Sequence, residues 1–488
     1  MPDLSEAQAN AVVELLRIAP VVGRLGEAFA AAGHELYLVG GSVRDALLGR
    51  LGNDLDFTTD ARPDDIEALL SDFTAGVRGA AVWAIGKEFG TIGARVPAGK
   101  NQPDWVIEIT TFRSDVYRPE SRKPEVAFGD TLDGDLVRRD FTVNAMAIKI
   151  GEDSFVDPYG GLGDLAQGVL RTPGTPEQSF SDDPLRMMRA ARFASQLRMR
   201  PAPEVLAAMA AMADRIEIIS AERVRDELSK LLLTDAPRAG LAMLVASGLA
   251  DHVLPELPAM RLELDEHHRH KDVFEHSLVV LEQAIDLERR RGHEPELVNR
   301  LAALLHDIGK PATRRFVGEN KVTFHHHDVV GAKLVRKRLK ALRFPGDVTD
   351  AVSKLVELHL RFHGYGDGQW TDSAVRRYVR DAGDQLERLH ILTRADSTTR
   401  NRRKAERLRR SYDDLEDRID RLAEEEELDA LRPELNGDQI MEILGLSPGR
   451  EVGEAYRYLL ELRIEGGPIG EDAAREELLR WWAGRAGA

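Results

Sequence analysis

No cysteine occurs among the 488 residues. Disulfides and thiolate metal sites are therefore excluded, and any metal must be held by histidines and carboxylates. Also missing is an uninterrupted apolar run long enough to span a bilayer, and the polar start Met1-Pro2-Asp3-Leu4-Ser5-Glu6 does not read as a signal peptide. A soluble, cytoplasmic protein with no membrane partner is the expectation. The chain lacks internal repeats, and its one low-complexity segment is the run Glu424-Glu425-Glu426-Glu427. Its length suits about three domains, and 43% hydrophobic residues are enough to give each a core. A net charge of −16 argues against nucleic-acid binding only if the total matters more than its distribution. Basic residues gather at Arg289-Arg290-Arg291, from Lys333 to Arg343, and at Arg400-Asn401-Arg402-Arg403-Lys404, continuing through Arg407, Arg409 and Arg410. Each patch alone reads equally well as a solvated helix face.

Periodicity predicts an N-terminal helix from about Glu6 to Ala32, then short strand-like runs alternating with turns from Glu35 to about Leu170. Val106-Ile107-Glu108-Ile109-Thr110 is one such strand, with Glu108 between apolar neighbours. Beyond Pro184 the pattern turns helical, and the remainder reads as essentially all α.

The most informative stretch is Tyr37-Leu38-Val39-Gly40-Gly41-Ser42-Val43-Arg44-Asp45, followed by Asn53-Asp54-Leu55-Asp56-Phe57. A strand running into a double glycine and a helix start builds a phosphate cradle, because backbone N–H groups approach an anion closely only where no Cβ intervenes. In the second stretch, residues two apart share one face of a strand, so Asp54 and Asp56 present two carboxylates while Leu55 and Phe57 face a core. Such a pair beside a phosphate cradle suits Mg²⁺ and a nucleoside triphosphate. Further on, Ser181-Asp182-Asp183-Pro184-Leu185-Arg186-Met187-Met188-Arg189 reads as a helix start with Pro184 in its first turn. Asp183 and Arg186, three apart, would share a face and offer an acceptor and donors to the Watson–Crick edge of a base.

Together these segments resemble the nucleotidyltransferase head of the polymerase β superfamily. The variant they resemble is the class II tRNA nucleotidyltransferase (CCA-adding enzyme) and bacterial poly(A) polymerase family. The resemblance implies an α+β chain: an N-terminal helix (1–34), a head with a mixed sheet plus helices (35–175), an all-α neck (176–260), an HD domain (261–400) and a helical tRNA-binding body and tail (401–488). It implies that Asp54 and Asp56 hold Mg²⁺, with Glu108 of Glu-Ile-Thr-Thr-Phe-Arg a third acid. Gly40, Gly41, Ser42 and Arg44 would take the triphosphate. Leu136-Val137-Arg138-Arg139-Asp140-Phe141-Thr142-Val143-Asn144-Ala145 resembles the family's Arg-Arg-Asp-Phe-Thr-x-Asn-Ala signature, in which Asp140 reads the ribose 2′-OH and Arg139 and Asn144 assist. Tyr117–Pro124 matches a mobile catalytic loop, and Val156–Gly161 a structural hinge. The Asp183 and Arg186 pair, with Arg189 beyond it, matches the Glu-Asp-x-x-Arg protein template, Asp182 standing where the family has glutamate.

A second constellation comprises His276, His306-Asp307 in Leu-Leu-His-Asp-Ile-Gly-Lys, His327, His359 and Asp396. It resembles the binuclear HD phosphohydrolases, whose imidazole and carboxylate ligands suit Mn, Ni, Co, Fe or Mg. His325 and His326 flank His327, while His267, His268 and His270 read as loop residues. Leu435-Asn436-Gly437-Asp438 onward resembles the C-terminal module of longer members. The implied function is CMP and AMP addition from CTP and ATP to the tRNA 3′ end, with Mg²⁺, a transition metal at the HD site and a homodimeric assembly. Poly(A) or A-only synthesis is the rival within the class. An HD phosphohydrolase with the head as a binding module is the rival from outside it.

Overall fold

The computed structural model describes residues 4–99, 102–118, 121–129, 131–152, 154–261, 272–317, 321–362, 365, 370–398, 401–426 and 432–485. Pro119, Glu120, His267, His268, His270, Arg400 and Glu427 lie outside the described residues. The chain divides into two compact units, Met1–Pro255 and Glu256–Ala488.

The first unit opens with the helix Leu4–Ala31 and is built on strands β1 (Leu36–Val39), β2 (Asp54–Thr59), β3 (Ala81–Trp83), β4 (Thr91–Val96), β5 (Trp105–Thr111), β6 (Arg113–Arg118), β7 (Ser121–Phe128), β8 (Ala147–Lys149), β9 (Phe155–Val156), β10 (Val169–Leu170) and β11 (Arg200–Pro201). Seven of them form one mixed sheet in the order β3-β4-β5-β2-β1-β8-β9. β2 and β5 pair in parallel, and the other neighbours are antiparallel. Alternation decides the faces: Leu55, Phe57, Ile107 and Ile109 are buried, whereas Asp54, Asp56 and Glu108 are exposed on the other side. The segment expected to be a loop departs from that reading, since β6 and β7 pair as an antiparallel hairpin. Val116, Tyr117, Val126 and Phe128 are residues that favour strands, and only the turn falls outside the described residues.

Asp157 caps the helix Gly161–Gln167, accepting from the N–H groups of Gly161 at 2.7 Å and Leu162 at 3.0 Å. A Cβ on Gly161 would overlap the Thr142 carbonyl, so this motif packs the helix against the Thr142–Asn144 turn. The helices Pro176–Asp182, Leu185–Gln196, Ala221–Leu232 and Arg238–Ala246 follow. Leu185–Gln196 packs between the last two, with Gly240 N donating to Ser195 Oγ at 2.9 Å.

The second unit is helical apart from a hairpin of β12 (Arg315–Val317) and β13 (Lys321–Thr323), a departure from an all-α reading. Its central helices are Val273–Arg290, Leu297–Leu305, His327–Ala341, Gly346–Leu358 and Leu386–Asp396. Arg300 and Glu288 form a fully buried pair at 3.0 Å between the first two. Toward the C-terminus, Leu435, Ile440, Ala455, Leu459, Ala474 and Leu478 make a small core. The helix Gly437–Leu444 begins with a reciprocal Asn436 and Gln439 capping box. Among the described residues no helix is long and apolar enough to cross a membrane.

Candidate active site and metal centre

In the parallel register of β2 and β5, Asp56 lies directly opposite Glu108. Asp54, two residues earlier, shares their face, so three carboxylates stand on one side of the sheet. The helix Gly41–Leu47 is tied to this strand by Ser42, whose buried hydroxyl accepts from Asp56 N at 3.0 Å and donates to Asp54 O at 3.4 Å. Ser42, expected among the phosphate-binding residues, is thus occupied in holding the acidic strand. Asp56 is exposed by surface area yet hemmed in at the cleft floor, and its carboxyl is pushed up to about 6. Lost hydration is the largest cause, Arg139 opposes it, and the Glu108 and Asp54 carboxylates add to it. Crowded oxygens of one sign are a donor set that a hard divalent cation satisfies.

Asp56 and Glu108 open into a cleft of about 350 Å³ whose walls include Gly40, Gly41, Arg113, Arg139, Asp140, Asn144, Asp183, Arg186 and Arg189; Asp54 is not among its lining residues. Gly40 has φ 67° and ψ −134°, a backbone region that residues with a Cβ avoid. A Cβ there would also lie 2.7 Å from Arg139 Nη1. Arg139 is itself held by fully buried Asp135 at 3.0 Å, and Arg138 shares that carboxylate. Asp140 is buried; its Oδ1 accepts from Phe141 N at 2.8 Å and Asn144 Nδ2 at 2.9 Å, and its Oδ2 lies 2.6 Å from Arg189 Nη2. Burial alone would raise the Asp140 carboxyl, but Arg189 and the Asn144 hydrogen bond hold it below its ordinary value.

Arg44 does not extend into the cleft. Its guanidinium is buried, donating to Asn144 Oδ1 at 2.7 Å and to both Asp45 oxygens at 3.0 and 2.7 Å. One turn into the helix points it toward the Thr142–Asn144 turn, where it positions Asn144.

The template segment also differs from a single helix. Pro184 forces Asp183 into an extended conformation, φ −140° and ψ 100°, so Asp183 links the helices Pro176–Asp182 and Leu185–Gln196 rather than sharing a helix face with Arg186. Asp183 Oδ1 accepts from Leu185 N at 3.1 Å and its Oδ2 pairs with Arg223 at 2.8 Å. Buried Arg186 donates to Ser179 Oγ at 2.9 Å and to the Arg138 carbonyl. Both side chains still line the cleft. Asp182 accepts from Gln178 at 2.6 Å outside it. Sequence reasoning missed Asp135, Ser179 and Arg223. Asp135 had a signal in its i+3 and i+4 arginines; Arg223, 40 residues from its partner, had none.

In the second unit, the helix Leu297–Leu305 ends at His306, with Asp307 next in the chain. His276, His306 and Asp396 form one potential metal-ligand group, and Asp307, His327 and His359 another. Asp307 joins them: its Oδ2 lies 3.2 Å from His306 Nε2, and its Oδ1 3.3 Å from His327 Nε2 and 4.0 Å from His359 Nε2. The Nδ1 atoms of His306, His327 and His359 face the carbonyls of Ala303, Phe324 and Val356 at 2.9, 2.8 and 2.5 Å. A carbonyl only accepts, so each Nδ1 carries the proton and each Nε2 is left with a lone pair that could bind a metal. The buried Nε2 atoms of His327 and His359 have no hydrogen-bond partner, as metal ligands require. A Cβ on Gly309 would overlap the His327 carbonyl, so glycine lets the turn after His306-Asp307 press against the helix His327–Ala341. His325 and His326 are exposed and stand outside the group.

Known domain families match three stretches of the chain. Models of the poly(A) polymerase head domain, a probable RNA- and SrmB-binding site of polymerase A, and the HD domain match residues 36–171, 198–260 and 273–401. A CCA-adding enzyme of Levilactobacillus brevis is 39% identical over 236 residues, 48% of this chain and 55% of that one, so the match spans about half of that relative. The Bacillus stearothermophilus CCA-adding enzyme, solved in complex with CTP, shares the fold with a TM-score of 0.63 at 24% identity, covering 96% of this chain and 98% of that one. An A-adding tRNA nucleotidyltransferase of Deinococcus radiodurans is 35% identical over 451 residues, 91% of this chain and 95% of the relative. Likeness of that degree along nearly the whole length places the chain in the class II tRNA nucleotidyltransferase and bacterial poly(A) polymerase family of enzymes.

Proposed function

We propose that this chain adds CMP and AMP, from CTP and ATP, to the 3′ end of tRNA without a nucleic-acid template. One observation carries the reading: Asp183 and Arg186, the pair suited to a base edge, line the same cleft as Asp56, Glu108 and the Gly40–Gly41 turn. A base, a triphosphate and a carboxylate-held metal can therefore be engaged together. Family membership entails divalent metal use, and Asp54, Asp56 and Glu108 are the residues that would hold Mg²⁺. Bound there, it supplies neutralisation of phosphate charge and acidification of the attacking hydroxyl.

The chain's own groups orient the reactants. Asp140, kept ionised by Arg189 and anchored by Asn144, presents an acceptor to a ribose hydroxyl. Arg139, braced by Asp135, faces phosphate beside Gly40. Arg186, fixed through Ser179 and the Arg138 carbonyl, offers its remaining N–H groups to C or A, with Asp183 as acceptor. Purified protein given tRNA lacking its terminal CCA, Mg²⁺ and nucleotides singly or together tests this: the product should gain C, C and A in that order. Failure of CTP to be incorporated contradicts it.

The name of the Deinococcus relative favours one narrower reading, addition of the terminal A alone. It requires that tRNA ending in CC be extended by ATP while tRNA lacking CCA is not extended by CTP. For the His276 to Asp396 centre we propose a phosphohydrolase of RNA-end phosphates or nucleotides using Mn, Ni, Co or Fe. Its ligands lie wholly in the second unit.

A further inference from the structure

The catalytic acids have a neighbour that their motifs do not mention. Across the sheet, Trp83 on β3 pairs with Gly93 on β4, Gly93 with Glu108 on β5, and Glu108 with Asp56 on β2. Residues paired across neighbouring strands share a face, so all four stand in one row on the side of the acids. Within that row Gly93 has no side chain, and a Cβ built on it would overlap Cε2, Nε1 and Cζ2 of the Trp83 indole. The ring thus folds over β4 toward Glu108 instead of standing above its own strand. Trp83 remains half-buried, not sealed in a core. The turn after it adds Ile85, 89% exposed, and Phe89, 44% exposed.

The row has a direction. β1 flanks β2 on the side away from β5 and ends at the Gly40–Gly41 turn. The acids therefore lie between the phosphate-facing turn on one side and the indole on the other. In nucleotidyl transfer the attacking and leaving oxygens are roughly in line across the phosphorus. If pyrophosphate departs on the Gly40 side, the attacking 3′-hydroxyl arrives from the Trp83 side, carried by an unpaired terminal nucleotide. Such a nucleotide has a base that stacks on an aromatic face whatever its identity, which suits an enzyme whose primer end changes as it grows.

We infer that Trp83 is a stacking platform for the terminal base of the RNA primer and so positions its 3′-hydroxyl before Glu108 and Asp56. This rests on the proposed 3′-end transferase activity. The test is steady-state kinetics with tRNA lacking its terminal nucleotides, comparing wild type with Trp83→Ala, Trp83→Leu and Trp83→Phe, each checked for folding by circular dichroism. Trp83→Ala should raise KM for the RNA about tenfold, equivalent to about 1.4 kcal/mol, and leave KM for CTP and ATP within about twofold. Trp83→Leu, which keeps an apolar cover over Gly93 but offers no aromatic face, should be as impaired as Trp83→Ala, and Trp83→Phe should recover most of the loss. An unchanged KM for RNA in the leucine variant overturns the inference while the transferase reading stands. Equal rises for RNA and nucleotides also overturn it, by marking a structural role. If wild type extends no RNA, both fall together.

Discussion

Substituting Gly40 separates backbone strain from surface chemistry. Its φ of 67° with ψ of −134° lies outside even the left-handed helical region, so an alanine there costs about 1–3 kcal/mol in backbone strain. The new methyl would sit 2.7 Å from Arg139 Nη1, and Arg139 cannot withdraw without weakening its 3.0 Å bond to Asp135. Losing one well-placed charge-assisted contact to phosphate is worth about 1.5–3 kcal/mol, or roughly 10–100-fold in kcat/KM. Gly41 is the internal control. A Cβ there meets only the Arg44 guanidinium, at an ordinary 3.4 Å or more, so Gly41→Ala should alter stability by less than about 0.5 kcal/mol. Urea unfolding of the two variants beside wild type gives the stability difference. Kinetics at saturating tRNA with varied CTP or ATP give the catalytic one. Equal destabilisation by both alanines, or wild-type kcat/KM in Gly40→Ala, would refute the reasoning.

Arg186→Ala should cut selectivity for CTP and ATP over UTP and GTP by roughly 10–100-fold, while inhibition by inorganic triphosphate stays unchanged; competition assays among the four nucleotides check this. Because the Asp56 carboxyl is raised to about 6, protonation there opposes metal binding. The apparent Mg²⁺ affinity should be flat above about pH 7 and fall by up to about tenfold per unit below pH 6, as followed by Mg²⁺ titration of activity. His359→Ala removes a buried histidine of the proposed second-unit metal centre and should lower the bound transition metal measured by plasma mass spectrometry, with CMP and AMP addition intact. Full metal retention in that variant would speak against the assigned ligand set.

The residues whose chemistry is local were legible in the sequence. Asp54 and Asp56 follow from strand alternation, and the His306-Asp307 doublet from its place at a helix end. Gly40 was legible as a turn, though its near-contact with Arg139 depends on chain folded about a hundred residues later. Ser42 and Arg44 have the right types at the right spacing, yet their polar atoms are taken by Asp56 N, Asp45 and Asn144. Motif position does not reveal which partner a buried donor finds. The break at Asp183 was available in principle, because the residue before a proline avoids the helical region. Trp83 belongs to no motif; only the register of three strands places it in one row with Glu108.

The central claim is that Asp54 and Asp56 hold the metal for nucleotide transfer to tRNA. Its most direct test measures incorporation of labelled CMP and AMP into tRNA lacking CCA by wild type, Asp54→Ala and Asp56→Ala in Mg²⁺, with tRNA binding measured alongside. The account predicts C, C and A addition by wild type, loss of at least about 10³-fold in rate in each variant, and tRNA affinity unchanged within about threefold. Near-wild-type turnover in either alanine variant would contradict it.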